Sequence, residues 1–264
     1  MTTDIQNQIT VLFSRTGMSF LFQMVAGSRR FGFSTESSDY DIRIIGMPTV
    51  EYFKPHLRGL VIGYDRALVP NMSTISNIVD TSGNTRVKYD IFIDALPQYI
   101  SYAVSGGYFQ LQNLMSPLDD MTQYDDRWVS FRETLVNVLP TESFVLAAMH
   151  LIRDMKEIEV RLEKNAYKTE QEQAKKVVQV LFISEFIQTR DPLNQKHDYL
   201  TMRNTGMSKE NCLSILSNIK TSLWGYVESA TATAKGFKAE RDAFSTTLQK
   251  GINTWFNEEI FPIP

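Results

Sequence analysis

Three aspartates and a Gly-Ser pair carry the chemistry this sequence offers. Residues 27 to 41 read Gly-Ser-Arg-Arg-Phe-Gly-Phe-Ser-Thr-Glu-Ser-Ser-Asp-Tyr-Asp, directly after the apolar run Phe20 to Ala26. Asp39 and Asp41 are one residue apart. On a strand, positions i and i+2 project from one face, so both carboxylates point the same way while Tyr40, Ile42 and Ile44 turn into the core. Two carboxylates so close repel unless a hard cation lies between them, and Mg²⁺ completes its octahedron with phosphate oxygens and water. A pair of such ions clamps the attacking and leaving oxygens of an in-line displacement. Gly27 lets the backbone approach a triphosphate, the Ser28 hydroxyl and neighbouring N–H groups hold its oxygens, and Arg29 stands as a charge clamp. Without the Gly-Ser pair, an Asp-Tyr-Asp is more often a solvated turn or a lone calcium ligand.

The composite resembles the signature of the DNA polymerase β-like nucleotidyltransferase superfamily: Gly27-Ser28, then Gly32, then Thr35, Ser38, Asp39 and Asp41. It looks particularly like the predicted nucleotidyltransferases that include the RNA-ligase-associated group of bacteria and phages. The resemblance implies a third carboxylate on a later strand. Residues 85 to 94 alternate with Val87, Tyr89, Ile91 and Ile93 on one face and Lys88, Asp90, Phe92 and Asp94 on the other, and Asp90 is the natural third ligand. Gly106, Leu111, Leu114 and Pro117 then match a family pattern, from which Gly107 and Gln112 depart, standing where relatives have Asn and Glu. Asp94, ahead of Ala95-Leu96-Pro97, reads as a helix N-cap.

These residues need a scaffold, and 264 residues at 43% hydrophobic content suffice for an α/β catalytic domain plus a helical partner. The expected fold is α+β: a polymerase β-like domain with a mixed sheet and flanking helices, followed by a C-terminal helical bundle. The boundaries are 1–118 for the catalytic domain, 119–140 for a linker and 141–264 for the helical domain. Asp4 caps a first helix with Ile5, Ile9, Leu12 and Phe13 on one side, and Leu60-Val61-Ile62 with residues 81 to 84 suggest an extended excursion and a turn. Asp119, Asp120, Asp125 and Asp126 read as a solvated linker, since no Gly-centred calcium loop follows. An antiparallel bundle is predicted with helices near 142–165, 169–189, 208–232 and 237–257. Lys175 and Lys176 head one apolar run and are candidates for nucleotide phosphate, against the plainer reading of a charged helix face. The resemblance extends faintly to Lys176 and to the segment Leu200 to Gly206, while Gln179 and Phe182 replace a His and an Arg that relatives often show.

The net charge of −3 argues against a broad non-specific nucleic-acid surface. The single cysteine, Cys212, precludes an internal disulfide and reads as buried filler in a reducing cytoplasm. No stretch reaches about eighteen uncharged apolar residues, and the N-terminus lacks signal-peptide order, so an intracellular protein without a membrane partner is expected. His150 reads as a satisfied core histidine, while His56 and His197 sit in loop-like contexts.

Together the residues and the resemblance imply a transferase in which Gly27, Ser28 and Arg29 bind an NTP, Asp39 and Asp41 hold two Mg²⁺ or Mn²⁺, and Asp90 serves the catalytic ion and the acceptor hydroxyl. The acceptor is an RNA 3′ end first, then a protein hydroxyl or a small molecule. A non-catalytic nucleotide sensor and a toxin–antitoxin member of the same superfamily are the alternatives.

Overall fold

Alternating apolar residues in 40–47 and 87–95 produce two strands that pair side by side. β1 (Ser19–Ala26), β2 (Tyr40–Met47), β3 (Thr74–Asp80), β4 (Val87–Ala95) and β5 (Met121–Tyr124) form one sheet of five strands in the order β3-β4-β2-β1-β5. β2 and β4 are parallel and the other pairs antiparallel, so the sheet is mixed. The computed structural model describes residues 3–30, 32, 34–36, 38–48, 74–80, 87–192, 198–233 and 237–256. The segment around Leu60-Val61-Ile62 and the turn at 81 to 84 lie outside the described residues. The fold class is the expected α+β, a mixed sheet with flanking helices and a helical C-terminal region.

Each sheet face has its own cover. Helix α1 (Thr3–Ser14) lays Ile5 and Ile9 against Ile42, Ile44, Tyr89, Ile91 and Ile93, with Leu12 and Phe13 at the margin. Full burial of each isoleucine contributes about 1.5–3 kcal/mol, so this face anchors β2 and β4 to one another. Asp4 lies in the first turn of α1. Elsewhere in the core, Phe22 of β1 stacks on Trp128 at 5.0 Å and meets Tyr99 edge-on at 6.1 Å. Trp128 belongs to helix α5 (Asp126–Asn137), and Tyr99 to helix α3 (Leu96–Val104).

The chain divides into two compact units. One comprises Met1–Ser101, Pro117–Val138 and Arg241–Pro264, and holds the sheet. Two expectations change here. Residues 119–140 are no linker: β5 adds to β1, and α5 buries Trp128 and Leu135. Of the acidic residues there, Asp120 pairs with the buried Arg30 at 2.9 Å and Asp125 caps α5. The last helix, α10 (Phe237–Phe256), was expected in the bundle, yet from Arg241 onward it belongs with the sheet, where Gly251 allows close approach to Phe131.

The second unit, Tyr102–Ser116 with Leu139–Glu240, is helical: α4 (Tyr108–Met115), α6 (Thr141–Glu163), α7 (Glu170–Thr189), α8 (Tyr199–Thr205) and α9 (Lys209–Thr233). α9 packs along α6 and α7, and Lys220 reaches Glu159 of α6 at 2.7 Å. No single helix among the described residues is long and apolar enough to cross a membrane.

Candidate active site

The parallel pairing of β2 with β4 sets Asp41 directly opposite Asp90, and Tyr40 opposite Tyr89. The two tyrosine rings stack at 5.0 Å on the α1 side, so the carboxylates project from the other face. Asp39 stands one residue ahead of β2. Sequence spacing brought Asp39 and Asp41 together; the strand register brings Asp90 beside them.

A lysine stands among these carboxylates. The Lys88 Nζ donates to Asp90 Oδ2 at 2.9 Å and lies 3.8 Å from Asp39 Oδ2. The hydrogen bond to Asp90 holds its pKa above the ordinary lysine value, with the charges of Asp90, Asp39 and Asp41 acting the same way. Asp90 Oδ1 is buried and has no hydrogen-bond partner among the described residues. Lys88 was legible as a residue on the Asp90 face, since it lies two positions earlier on one strand, but spacing alone gave it no role.

The signature residues outside the triad build the turn that presents Asp39. Thr35 N–H donates to Ser38 Oγ at 2.9 Å, and Ser38 N–H donates back to Thr35 O at 3.0 Å, closing a tight loop. Arg29 braces the same loop. Its Nε donates to Asp39 O at 3.2 Å, its Nη2 donates to Ser38 O and Glu36 O, and its guanidinium lies 3.8 Å above the Tyr40 ring. These donors serve the backbone from Glu36 to Asp39, so Arg29 holds the loop that leads into β2. Gly27 opens the single helical turn α2 (Gly27–Arg30) with φ +66°. A Cβ there would meet Asp41 Oδ2 at 2.0 Å, so any larger residue must displace the Asp41 carboxylate besides adopting a positive φ. Ser28 is half-buried beside it.

Asp39, Asp41 and Asp90 supply oxygens of the chemical type that hard divalent cations take. Three carboxylates converge on one patch, one buried oxygen of Asp90 lacks a partner among the described residues, and the backbone at Gly27 comes close to Asp41. Among the described residues no group of three or more His, Cys, Asp or Glu side chains is arranged to hold a metal ion, and the Lys88 ammonium stands between Asp39 and Asp90.

The comparison with protein families falls on this patch. Residues 1–55 match the model of RlaP, the RNA repair pathway DNA polymerase beta family. The match spans α1, β1, Gly27 through Asp41 and all of β2, and ends before Asp90. It agrees with the resemblance carried by the signature residues. No curated protein matches the chain.

Beyond the RlaP match, the residues the signature relates to the family are structural in their contacts. Gly106 has φ +89°, and a Cβ there would meet the Leu146 backbone at 2.6 Å. Leu111 and Leu114 are fully buried. Gln112, where the resemblance leads one to expect Glu, is buried with neither amide atom hydrogen-bonded among the described residues, and Gly107 begins α4 without a side-chain cap. Lys175 and Lys176 lie on α7 in the second unit, where burial, then the neighbouring Lys175, lowers the pKa of Lys176.

The other candidates resolve as packing. His150 Nδ1 is 3.2 Å from Gly106 O, the satisfied histidine its position suggested. Cys212 is buried, which pushes its thiol up to about 11. His56 and His197 lie outside the described residues. Asp94 is not a helix cap. It is the penultimate residue of β4, almost fully buried, and pairs with Arg43 at 3.2 Å while Arg43 covers the Phe92 ring at 4.3 Å. Burial raises its pKa against the opposing pull of Arg43.

Proposed function

We propose that the protein is a metal-dependent nucleotidyltransferase that moves a nucleoside monophosphate from an NTP to an acceptor hydroxyl, with an RNA 3′ end as the acceptor and pyrophosphate as the second product. The observation that carries this reading is the register of β2 and β4, which sets Asp41 beside Asp90 with Asp39 one pleat away. The RNA repair description of the matching family supports RNA as the acceptor. The single, buried cysteine suits the reducing interior of a cell.

Two Mg²⁺ or Mn²⁺ ions, when held by Asp39, Asp41 and Asp90, would supply charge neutralisation for the triphosphate and acidify the acceptor hydroxyl. The chain's own residues do the rest. Gly27 admits the triphosphate close to the backbone, and the Ser28 hydroxyl donates to a phosphate oxygen. Arg29 and the Thr35–Ser38 turn fix the Asp39 backbone, which sets where its carboxylate leaves the chain. In this reading Asp90 takes the acceptor proton. Lys175 and Lys176 have no part in this reading.

A second reading, a nucleotide sensor without turnover, draws on Gly107 and Gln112, which replace the Asn and Glu that the resemblance leads one to expect. Incubation with each labelled NTP, Mg²⁺ or Mn²⁺ and a cell extract, followed by separate RNase and protease digestion, decides between them. RNase-sensitive label is the expected result. Label that survives RNase but not protease moves the acceptor to protein, and NTP binding with no labelled product in any fraction leaves the sensor.

A further inference from the structure

We propose that the Lys88 ammonium is a built-in counter-ion of the aspartate patch, which an incoming divalent cation must displace to reach Asp39 and Asp90. This rests on the metal-dependent reading above and adds a gate to the same site. The register supplies the geometry. Tyr40 pairs with Tyr89 and Asp41 with Asp90, so one step earlier Asp39 stands across from Lys88. Three corners of this square are carboxylates and the fourth is an ammonium, within 2.9 Å of Asp90 Oδ2 and 3.8 Å of Asp39 Oδ2.

The position is that of a cation with two carboxylates to bridge, and it cannot be shared. A second positive centre between Asp39 and Asp90 would stand within a few ångströms of Nζ, where like charges repel strongly even in partly solvated surroundings. Lys88 also serves its partner incompletely, because Asp90 Oδ1 remains buried without a hydrogen bond among the described residues. A divalent ion offers twice the charge and coordinates oxygens that a tetrahedral ammonium does not reach. Departure is easy. The Lys88 side chain is 48% exposed, and four methylenes of stem let the ammonium swing into water without unpacking a core. Lys88 is thus a positioning residue: it keeps three repelling carboxylates folded together and sets the threshold at which metal enters.

The test uses the full chain and Mn²⁺ alone, without nucleotide, with binding followed by electron paramagnetic resonance. Lys88→Met removes the charge and keeps the length, and it is expected to bind Mn²⁺ about tenfold more tightly than wild type. The same variant should melt at a lower temperature in chelator, because the carboxylates then repel without relief. A second measurement stays with the wild type, should the variant fold poorly. Acetylation mapped by mass spectrometry should rise several-fold at Lys88 when Mn²⁺ saturates the protein, while the exposed Lys250 is unaffected. Equal Mn²⁺ affinity of wild type and Lys88→Met, or Lys88 acetylation unchanged by saturating Mn²⁺, overturns the assignment of Lys88 and leaves the metal-dependent reading standing. Absence of Mn²⁺ binding by both proteins overturns the metal-dependent reading itself.

Discussion

Gly27 sits so close to Asp41 that a Cβ at position 27 would lie 2.0 Å from Asp41 Oδ2 and 2.9 Å from its Cγ. The backbone at Gly27 also has φ +66°, which side chains with a Cβ adopt at a cost of about 1–2 kcal/mol. The strand end that carries the Gly27-Ser28 turn and the strand that carries Asp41 are therefore fitted to one another through a missing side chain. Gly27→Ala should destabilise the fold by about 1–2 kcal/mol in urea and, by pushing the Asp41 carboxylate aside, reduce nucleotidyl transfer by about a hundredfold or more. A variant with wild-type turnover would mean that Asp41 moves without consequence and is not a ligand.

The ion pair between Arg30 and Asp120 fastens α2 to the turn ahead of β5. The Arg30 side chain is only 2% exposed, and burial lowers its pKa, with Asp120 opposing that shift by hydrogen bond and charge. Removing Asp120 leaves a desolvated guanidinium without its carboxylate, a change that costs about 3–5 kcal/mol in comparable buried pairs. Asp120→Ala should fall in that range by chemical denaturation. The neighbouring Asp119 is exposed, and Asp119→Ala should change stability by less than about 0.5 kcal/mol. Equal effects of the two substitutions would place Asp120 in the solvated acidic run that the sequence suggested.

What was legible divides along the range of the interaction. The alternation of Val87, Tyr89, Ile91 and Ile93 is local, and it gave both the strand and the face on which Asp90 lies. The spacing of Phe144, Val145, Ala148, Leu151 and Ile152 likewise gave α6 to within a few residues. Partners were not legible. An apolar stripe states that a helix has something to cover and not what, so the sequence of α10 shows a helix without showing that it packs with the sheet. β5 is short, and Thr122, Gln123 and Tyr124 are exposed on it, so no hydrophobic pattern marks it as the edge of the sheet. Charges were misread for a similar reason. Arg29, Asp94 and Asp120 look free in the sequence, because the carbonyls, arginines and turns that engage them lie many residues away or on the backbone.

Helix α5 carries a pH-dependent cap. Asp125 accepts the Arg127 backbone N–H at 2.9 Å, and its carboxylate also meets the Arg127 guanidinium. The side-chain hydrogen bond from Arg127 is the main cause of its lowered pKa. A carboxylate whose folded pKa is depressed contributes stability in full above the unfolded value near ~3.9, and loses that contribution as pH falls through the lower folded value. Asp125→Ala should therefore destabilise by about 1 kcal/mol at neutral pH, as a lost N-cap does. The gap between variant and wild type should narrow in acid below the unfolded pKa. A gap that stays constant into that acid range would assign the effect to helix propensity alone.

Asp41 and Asp90 are neighbours in register, yet the proposed reaction asks different things of them, and two variants separate these demands. With NTP and Mg²⁺ or Mn²⁺, the wild-type melting temperature should rise, and Asp41→Asn should lose most of that rise because a metal oxygen is replaced by an amide. Without metal, Asp41→Asn should be at least as stable as wild type, since one of three clustered negative charges is gone. Asp90 serves the acceptor side, so Asp90→Ala should abolish transfer while NTP affinity stays within about tenfold, roughly 1.4 kcal/mol. The reason is that stabilisation felt chiefly in the transition state appears in turnover and not in ground-state binding. Calorimetric NTP titration of both variants beside a single-turnover assay reads the two quantities separately. Equal losses of binding and turnover in Asp90→Ala would make Asp90 a ground-state ligand like Asp41, and the proton would then need another acceptor.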